Sequence, residues 1–446
     1  MRRVLYRALR AVSALDHWLR ERLTDAGWVA LGVGAAAAAA GLDTGQTVTY
    51  RAFTFLAAAL LLSWAASLFF RARVDVRRDL PRFATATEPC SYRVAITNRG
   101  ARPLAGATLL ERFGDPRPAF DEWRRAREPG EERRNWWDRT TGYFRWRWLI
   151  ERRLPRDTTR AEVPDLAPGE TRELRFELTP RRRGRIDLAG LTLGRADPLG
   201  LVRGLVRVPA PARLVALPRR YRLPPLVLPG RRKYQQGGVS LAASIGDSEE
   251  FLALRDYRPG DPLQRVHWKS YARTGRPVVK EYQDEFFERH ALVLDTASAR
   301  GEDATFEDAV SLAASFVYTV DTQECLLDLL FVGAGDGAVH AHTAGRGQMQ
   351  PAHLLEVLAA AAPSDAAAIP ALERAVAARR DGVSSLILIL LAWDEPRRRL
   401  AAALRGAGAE LRILLVCPEG EVPADAPPGM GVLHPGRIEE GLAALR

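Results

Sequence analysis

Cysteine is scarce in this 446-residue chain: Cys90, Cys325 and Cys417 stand far apart, with no C-x-x-C spacing and no histidine placed to complete a zinc site. That pattern argues against a disulfide framework. Cys325 and Cys417 lie in the apolar runs CLLDLLFV and LRILLVC and read as buried core thiols, which suits a reducing compartment. The short motifs of most catalytic centres are missing too. There is no P-loop and no G-x-S-x-G, Ser298 has no histidine partner, and Gly333-Ala334-Gly335 leads into a hairpin rather than a helix. His340 and His342 share one face of a strand without a third ligand, so a solvent-facing pair is the simpler reading than a metal site. Without a nucleophile, a base or a cofactor motif, the chain reads as a non-enzyme.

What the chain does contain is folded, basic sequence. It is 47% hydrophobic and carries 65 Lys+Arg against 54 Asp+Glu, a formal charge of +11. The length allows two or three domains at about 100–200 residues each. The charge points to an acidic partner or an anionic membrane surface, and not by itself to nucleic acid.

Residues 1–25 interleave Arg2, Arg3, Arg7, Arg10, Arg20 and Arg22 with Leu5, Leu9, Val12, Leu15, Trp18 and Leu19, the pattern of a helix on a membrane surface. Two uncharged spans follow, 26–42 and 52–70, separated by a polar loop, and predict a membrane α-helical hairpin within residues 1–78. A cleaved signal peptide is the competing explanation for the first. Arg71, Arg73, Arg77 and Arg78 follow the second span, and only Arg51 lies near the loop. By the positive-inside rule both flanks face the cytoplasm, which makes the chain a multi-pass protein of the bacterial inner membrane with its main soluble part cytoplasmic.

Over 79–218 the period changes to two. Tyr92, Val94 and Ile96 alternate with polar residues, as do Leu174, Phe176 and Leu178, and Gly- and Pro-rich turns separate the short strands. An all-β, immunoglobulin-like sandwich is expected. Residues 120–157 interrupt it with an Arg- and Trp-rich insertion holding Trp136, Trp137, Trp146 and Trp148. One reading is a surface for anionic headgroups or single-stranded nucleic acid; the other is a long hairpin whose aromatics pack on the sandwich and whose arginines are solvated.

A connector spans 219–289, with Gly237 and Gly238 as a break, and holds the densest stretch of the chain, 246–281. Pro259-Gly260 suits the centre of a type II turn, Asp261 a helix cap, and Gly275 a helix stop near Arg273. Trp268 and Tyr257 read as packed anchors. Residues 290–446 alternate short apolar strands with helices, the mark of a Rossmann-like, doubly wound α/β domain with a mainly parallel sheet. Asp295 and Asp394 stand at strand ends, where such sheets gather ligands. With Thr296 and Ser298 they are candidates to bind Mg²⁺; alternatively they cap the helices that follow.

The run E-F-x-x-L-R-D-Y-x-P-G-D, then R-V-H-W-K-S-x-A-R-T-G and V-V-K-E-Y, resembles the bacterial family called domain of unknown function 58. It is carried by Glu250, Phe251, Leu254, Arg255, Tyr257, Pro259, Gly260, Asp261, Arg265, Trp268, Lys269, Ala272, Arg273 and Glu281; RRRGRIDLAG and Asp197-Pro198-Leu199-Gly200-Leu201 add to it. His267 departs from it, standing where an acidic residue is expected. The resemblance implies a von Willebrand factor A-like α/β domain and a membrane-anchored adaptor working with a MoxR-type AAA+ ATPase in protein assembly or maturation. The motif residues are then the expected docking surface. It also implies a metal motif D-x-S-x-S, which here reads Asp295-Thr296-Ala297-Ser298-Ala299, with Asp394 as the second acid. Ala297 and Ala299 replace both serines, so the site is degraded; no cofactor is expected beyond a possible Mg²⁺, and a metal-dependent receptor is the alternative function.

Overall fold

The computed structural model describes residues 2–40, 47–158, 160–224, 249–261, 263–284, 288–298, 301, 303–320, 325–333, 337–345, 350–379, 383–405 and 410–444. The chain divides into two compact units, Met1–Arg219 and Arg220–Arg446.

The first unit opens with three helices: α1 (Arg2–Arg22), α2 (Asp25–Ala40) and α3 (Thr47–Ser67). The expectation of two membrane spans is corrected here. Among the described residues only α3, through Val48–Ser67, is long and apolar enough to cross a bilayer. Helix α2 has 16 residues, short of the roughly 20 that a span needs at 1.5 Å per residue. It packs along α3.

The sandwich follows as β1 (Val74–Asp79), β2 (Phe83–Thr85), β3 (Cys90–Asn98) and β4 (Ala107–Phe113), then after the insertion β5 (Arg160–Val163), β6 (Thr171–Leu178), β7 (Gly184–Ala196) and β8 (Arg203–Leu217). One sheet runs β1-β3-β6 and the other β2-β8-β7-β4-β5. The period-two residues face inward as the pattern requires: Tyr92, Val94 and Ile96 of β3 meet Leu174, Phe176 and Leu178 of β6 in the shared core, with the Tyr92 and Phe176 rings stacked at 5.7 Å. Inside this apolar layer sits an ion pair between Arg78 and Glu111, whose side chains are 4% and 0% exposed. Tyr92 donates its hydroxyl to Glu111 at 2.8 Å, and Arg78 also donates to the Ala210 carbonyl.

The turn Asp197–Val202 joins sandwich to helices. The Asp197 carboxylate accepts the backbone N–H groups of Leu199, Leu201 and Val202 at 2.8–2.9 Å, which fixes the loop. Thr24 then donates to the Gly200 carbonyl at 2.5 Å, and Arg203 to the Leu23 carbonyl at 2.7 Å. A side chain at Gly27 would run into the Leu201 carbonyl oxygen, so the start of α2 approaches the turn as closely as glycine allows.

The insertion is not a hairpin. It forms α4 (Phe120–Arg125), a 3₁₀ turn at Glu131–Arg133, α5 (Trp136–Thr141) and α6 (Tyr143–Glu151). Asn135 caps α5 by accepting the Asp138 N–H at 2.7 Å. Trp123, Trp146 and Leu149 form a small core of their own, and Leu5, Tyr6 and Leu9 of α1 close it. The Tyr6 ring lies 5.4–6.0 Å from Phe120, Trp123 and Trp146. Arginines expected in solvent are partly paired, Arg134 with Glu128 at 2.8 Å and Arg145 with Glu131. Trp136 and Trp137 remain 74% and 64% exposed.

In the second unit Tyr221 ties the chain to α8 (Ala304–Thr319): its N–H reaches Ser315 and its hydroxyl Asp308, both at 2.7 Å. The glycines Gly237 and Gly238 lie outside the described residues. Strands β9 (Glu249–Asp256) and β10 (Val278–Asp284) form a two-stranded antiparallel sheet, with α7 (Trp268–Thr274) between them.

The α/β domain contains β11 (Glu288–Leu294), β12 (Cys325–Val332), β13 (Val339–Ala344), β14 (Ser385–Leu390), β15 (Glu410–Val416) and β16 (Gly431–Leu433). Its sheet order is β13-β12-β11-β14-β15-β16, parallel except for the edge strand β13. Helices α9 (Pro351–Ala360), α10 (Ile369–Ala377), α11 (Glu395–Arg405) and α12 (Ile438–Ala444) complete the layers with α8. Leu372 and Val376 of α10 and Leu400 and Leu404 of α11 join Val293, Leu330, Leu388 and Leu415 in one core, while every residue of β14 is buried. The chain winds outward from β11 through β12 to β13, then returns to β14 on the other side of β11. The C-terminal ends of β11 and β14 therefore border the point where the winding reverses, the usual ligand position of such sheets.

Candidate functional site: an arginine-filled strand end and an exposed hairpin

At that reversal Asp295 follows β11 with no solvent exposure. Its Oδ1 accepts the Ala297 N–H at 2.9 Å, and its Oδ2 accepts the Leu391 N–H at 3.1 Å and Arg397 Nε at 2.6 Å. Arg397 comes from the first turn of α11. Its Nη1 meets Asp394 Oδ2 at 2.5 Å and its Nη2 the Ala297 carbonyl at 2.5 Å, with the side chain 5% exposed. Burial opposes the charge of this guanidinium, but Asp295 and Asp394 outweigh it and raise its pKa further. Asp394 also accepts the Arg397 N–H at 3.2 Å, the helix cap that the sequence allowed.

The donor set does not fit the Mg²⁺ site that the resemblance implies. Residue 297 offers no hydroxyl, Thr296 donates to the Val332 carbonyl at 2.8 Å, and Ser298 donates to Gly301 at 2.9 Å. Ala299 lies outside the described residues. The space between the two carboxylates holds a guanidinium. Arg397 was missed in the sequence because it begins the run Arg397-Arg398-Arg399, which reads as a solvated helix start. The one signal was its spacing, three residues after Asp394.

The motif stretch folds into the β9–β10 hairpin. The turn is as expected: Asp261 N–H returns to the Arg258 carbonyl at 3.0 Å, and Gly260 takes φ +108°. Asp261 does not cap a helix. It grips Arg255 through two bonds of 2.7 and 2.8 Å and accepts the Arg258 N–H at 2.8 Å, because a bidentate, charge-assisted pair outcompetes a single cap bond. Helix α7 starts later, at Trp268, after a 3₁₀ turn at Leu263–Arg265, and stops at Gly275 (φ +69°) as expected. Val266 and Val279 are buried beneath it.

The Arg255 guanidinium, with the Arg258 N–H, holds the Asp261 carboxyl down to about 2. A carboxylate with a depressed folded pKa contributes its stabilisation above its unfolded value, 3.8, and loses it as pH falls through the folded one. Hydrogen-exchange protection of the 255–261 turn is expected to hold above pH 4 and to vanish towards pH 2. Protection that is flat over this range would show the pair to be incidental.

Trp268 is not a packed anchor: it is 60% exposed, beside Tyr271 at 42%. The Trp268 and Tyr271 rings meet edge to face at 6.1 Å. Lys269 and Arg273 are exposed and make no ion pair among the described residues. Pro259 is exposed and Tyr257 half-buried, its N–H bonded to the Pro277 carbonyl. The side chains of Glu250, Phe251 and Arg265 lie outside the described residues. Tyr271 joins Trp268 unforeseen, signalled only by its i,i+3 spacing.

The remaining candidates do not assemble a metal site. His340 is exposed and stacks on Phe331 at 5.1 Å; half-buried His342 lies 6.2 Å from His340 and 6.3 Å from His353. Burial and the two neighbouring histidines lower the His342 pKa. Among the described residues no three His, Cys, Asp or Glu side chains are arranged to hold a metal ion. Cys417 is buried as expected and Cys90 partly so, while the Cys325 side chain lies outside the described residues.

Among curated proteins, the uncharacterized protein YeaD of Bacillus subtilis (strain 168) is 28% identical over 147 residues, covering 32% of this chain and 35% of its own length. The alignment thus spans about a third of that relative. Among solved structures, a CARDB domain from Pyrococcus furiosus is 12% identical, covering 32% of this chain and 94% of its own, with a TM-score of 0.15. A PapD-like domain of human CEP192 is 11% identical, covering 33% and 86%, with a TM-score of 0.16. The sandwich rests on its own strand pairing rather than on those scores. The hairpin from Ala253 and the α/β sheet as far as β15 coincide with a family match over residues 253–416, and over that span the chain carries a domain of the family described as Protein of unknown function DUF58.

Proposed function

We propose that this protein is a non-enzymatic, membrane-anchored adaptor that docks a cytoplasmic protein through the β9–β10 hairpin, with a MoxR-type AAA+ ATPase as the expected partner. The observation that carries this reading is the exposed aromatic pair of Trp268 and Tyr271 on α7, with Lys269 and Arg273 exposed on the same short helix. An exposed aromatic pair with basic neighbours suits a protein partner with acidic groups around an apolar pocket. A metal-dependent receptor has less support, because a guanidinium already pairs both candidate carboxylates.

Helix α3 supplies the anchor in this reading, and the arginines at 71, 73, 77 and 78 keep the following chain in the cytoplasm.

The test is co-purification from detergent-solubilised membranes. Trp268→Ala is expected to cut the recovered ATPase about thirtyfold, the effect of losing an aromatic hot spot of ~2 kcal/mol, without unfolding a hairpin in which Trp268 is exposed. Recovery equal to that of the unaltered chain would remove the patch as the docking surface.

A further inference from the structure

We infer that the turn Asp197–Val202, between β7 and β8, is a foot that dips into the membrane: Pro198 and Leu199 enter the headgroup–acyl boundary of the bilayer that α3 crosses. This rests on α3 being the anchor. The span Val48–Ser67 has 20 residues, about 30 Å at 1.5 Å each, which matches the hydrocarbon core and leaves no apolar length to spare. Its last turn is held against the sandwich. A side chain at Gly204, at the start of β8, would meet the Ser67 carbonyl oxygen at 2.8 Å and run into Phe70, and the fully buried Ser63 lies beside Asp197. Ser63 precedes Ser67 by one helical turn, so the root of the foot lies about 6 Å inside the end of the span.

A loop can enter that layer only if its backbone polar groups are satisfied within the protein. The Asp197 carboxylate takes the N–H groups of Leu199, Leu201 and Val202, the Asp197 carbonyl takes that of Gly200 at 2.9 Å, and Pro198 has none. Thr24 donates its hydroxyl to the Gly200 carbonyl and its N–H to the Leu201 carbonyl. What the turn shows outward is apolar: Pro198 is exposed and Leu199 57% so, and Phe69, just after α3, is 83% exposed. Arg71, Arg73 and Arg195 are exposed close by in the chain, with the Arg195 guanidinium 4.7 Å over the Phe70 ring, a basic edge that suits anionic headgroups. An apolar tip with basic neighbours is the chemistry of an interfacial lipid contact. The foot gives the sandwich a second hold on the membrane besides α3.

The experiment uses the full chain reconstituted in vesicles of phosphatidylcholine and phosphatidylglycerol in equal parts. A fluorescent amino acid is encoded in turn at Leu199, at Leu61 of α3 and at Tyr318 of α8, all exposed positions that tolerate it without repacking a core. Quenching is measured with iodide in the water and with lipids brominated on their acyl chains. The anchor alone predicts that Leu61 is quenched by the brominated chains and Tyr318 by iodide. The foot predicts that Leu199 behaves as Leu61 does, with iodide quenching about tenfold weaker than at Tyr318. A Leu199 probe as open to iodide as Tyr318 and untouched by brominated chains, with Leu61 still quenched by lipid, would overturn the foot and leave the anchor standing. A Leu61 probe open to iodide would overturn both.

Discussion

Replacing Arg78 by methionine is expected to destabilise the β-sandwich by about 3–5 kcal/mol, the usual loss when one partner of a buried ion pair is removed. Glu111 is then left with no solvent exposure and only the Tyr92 hydroxyl as a side-chain partner. The loss should depend on pH. Burial raises the pKa of Glu111 above its ordinary 4.5, even with Arg78 present. A carboxyl group with a raised folded pKa favours the folded state when protonated, so the variant loses stability as pH rises through and above 4.5 and recovers part of it on acidification. Urea unfolding followed by exchange of β1, β3 and β4 measures this. The double variant Arg78→Met/Glu111→Leu should regain most of the loss, since replacing both ions by apolar groups of similar size is often neutral or better. A double variant as unstable as the single one would show that Arg78 acts through its other bond, to the Ala210 carbonyl.

Arg397→Met is the second large effect. It leaves Asp295 buried beside Asp394 without a cation, and a cost of about 3–5 kcal/mol to the α/β domain is expected on the same grounds. Asp295→Asn should be milder, because Arg397 keeps Asp394 and the Ala297 carbonyl. Domain-resolved exchange in a urea series separates the two variants, and the sandwich strands should not respond. Equal losses would mean that Asp295 matters mainly for the backbone N–H groups of Ala297 and Leu391.

The regular layers were legible in the sequence because burial on one or both faces imposes a period. Tyr92, Val94 and Ile96 must alternate to reach the sandwich core, and Ser385–Leu390 must be apolar throughout because helices cover the sheet. Helix α1 was harder. An amphipathic pattern reports an apolar face but not what covers it, and Leu5, Tyr6 and Leu9 meet the aromatic core of the insertion. The insertion misled for a related reason: its apolar residues are few, and Trp123 finds Trp146 only after the chain turns back at Gly142 (φ +62°), where the lack of a Cβ leaves room for the Trp123 ring. Asp261 shows a competition between two roles open to one side chain. A cap was predicted from neighbours that follow it, and the fork to Arg255, six residues earlier, won. At the strand end the two acids were visible as a pair, but the guanidinium between them was not; it belongs to a run of three arginines of which only the first turns inward.

The central claim, that the exposed hairpin is a docking surface, is tested most directly by placing a photo-crosslinking residue at Trp268 in the full chain in its native membranes. The same probe at Tyr318, 64% exposed on α8, serves as the control. The account predicts a covalent adduct with a AAA+ ATPase subunit from position 268 and none from 318. No adduct from 268, or equal yields from both positions, would contradict it.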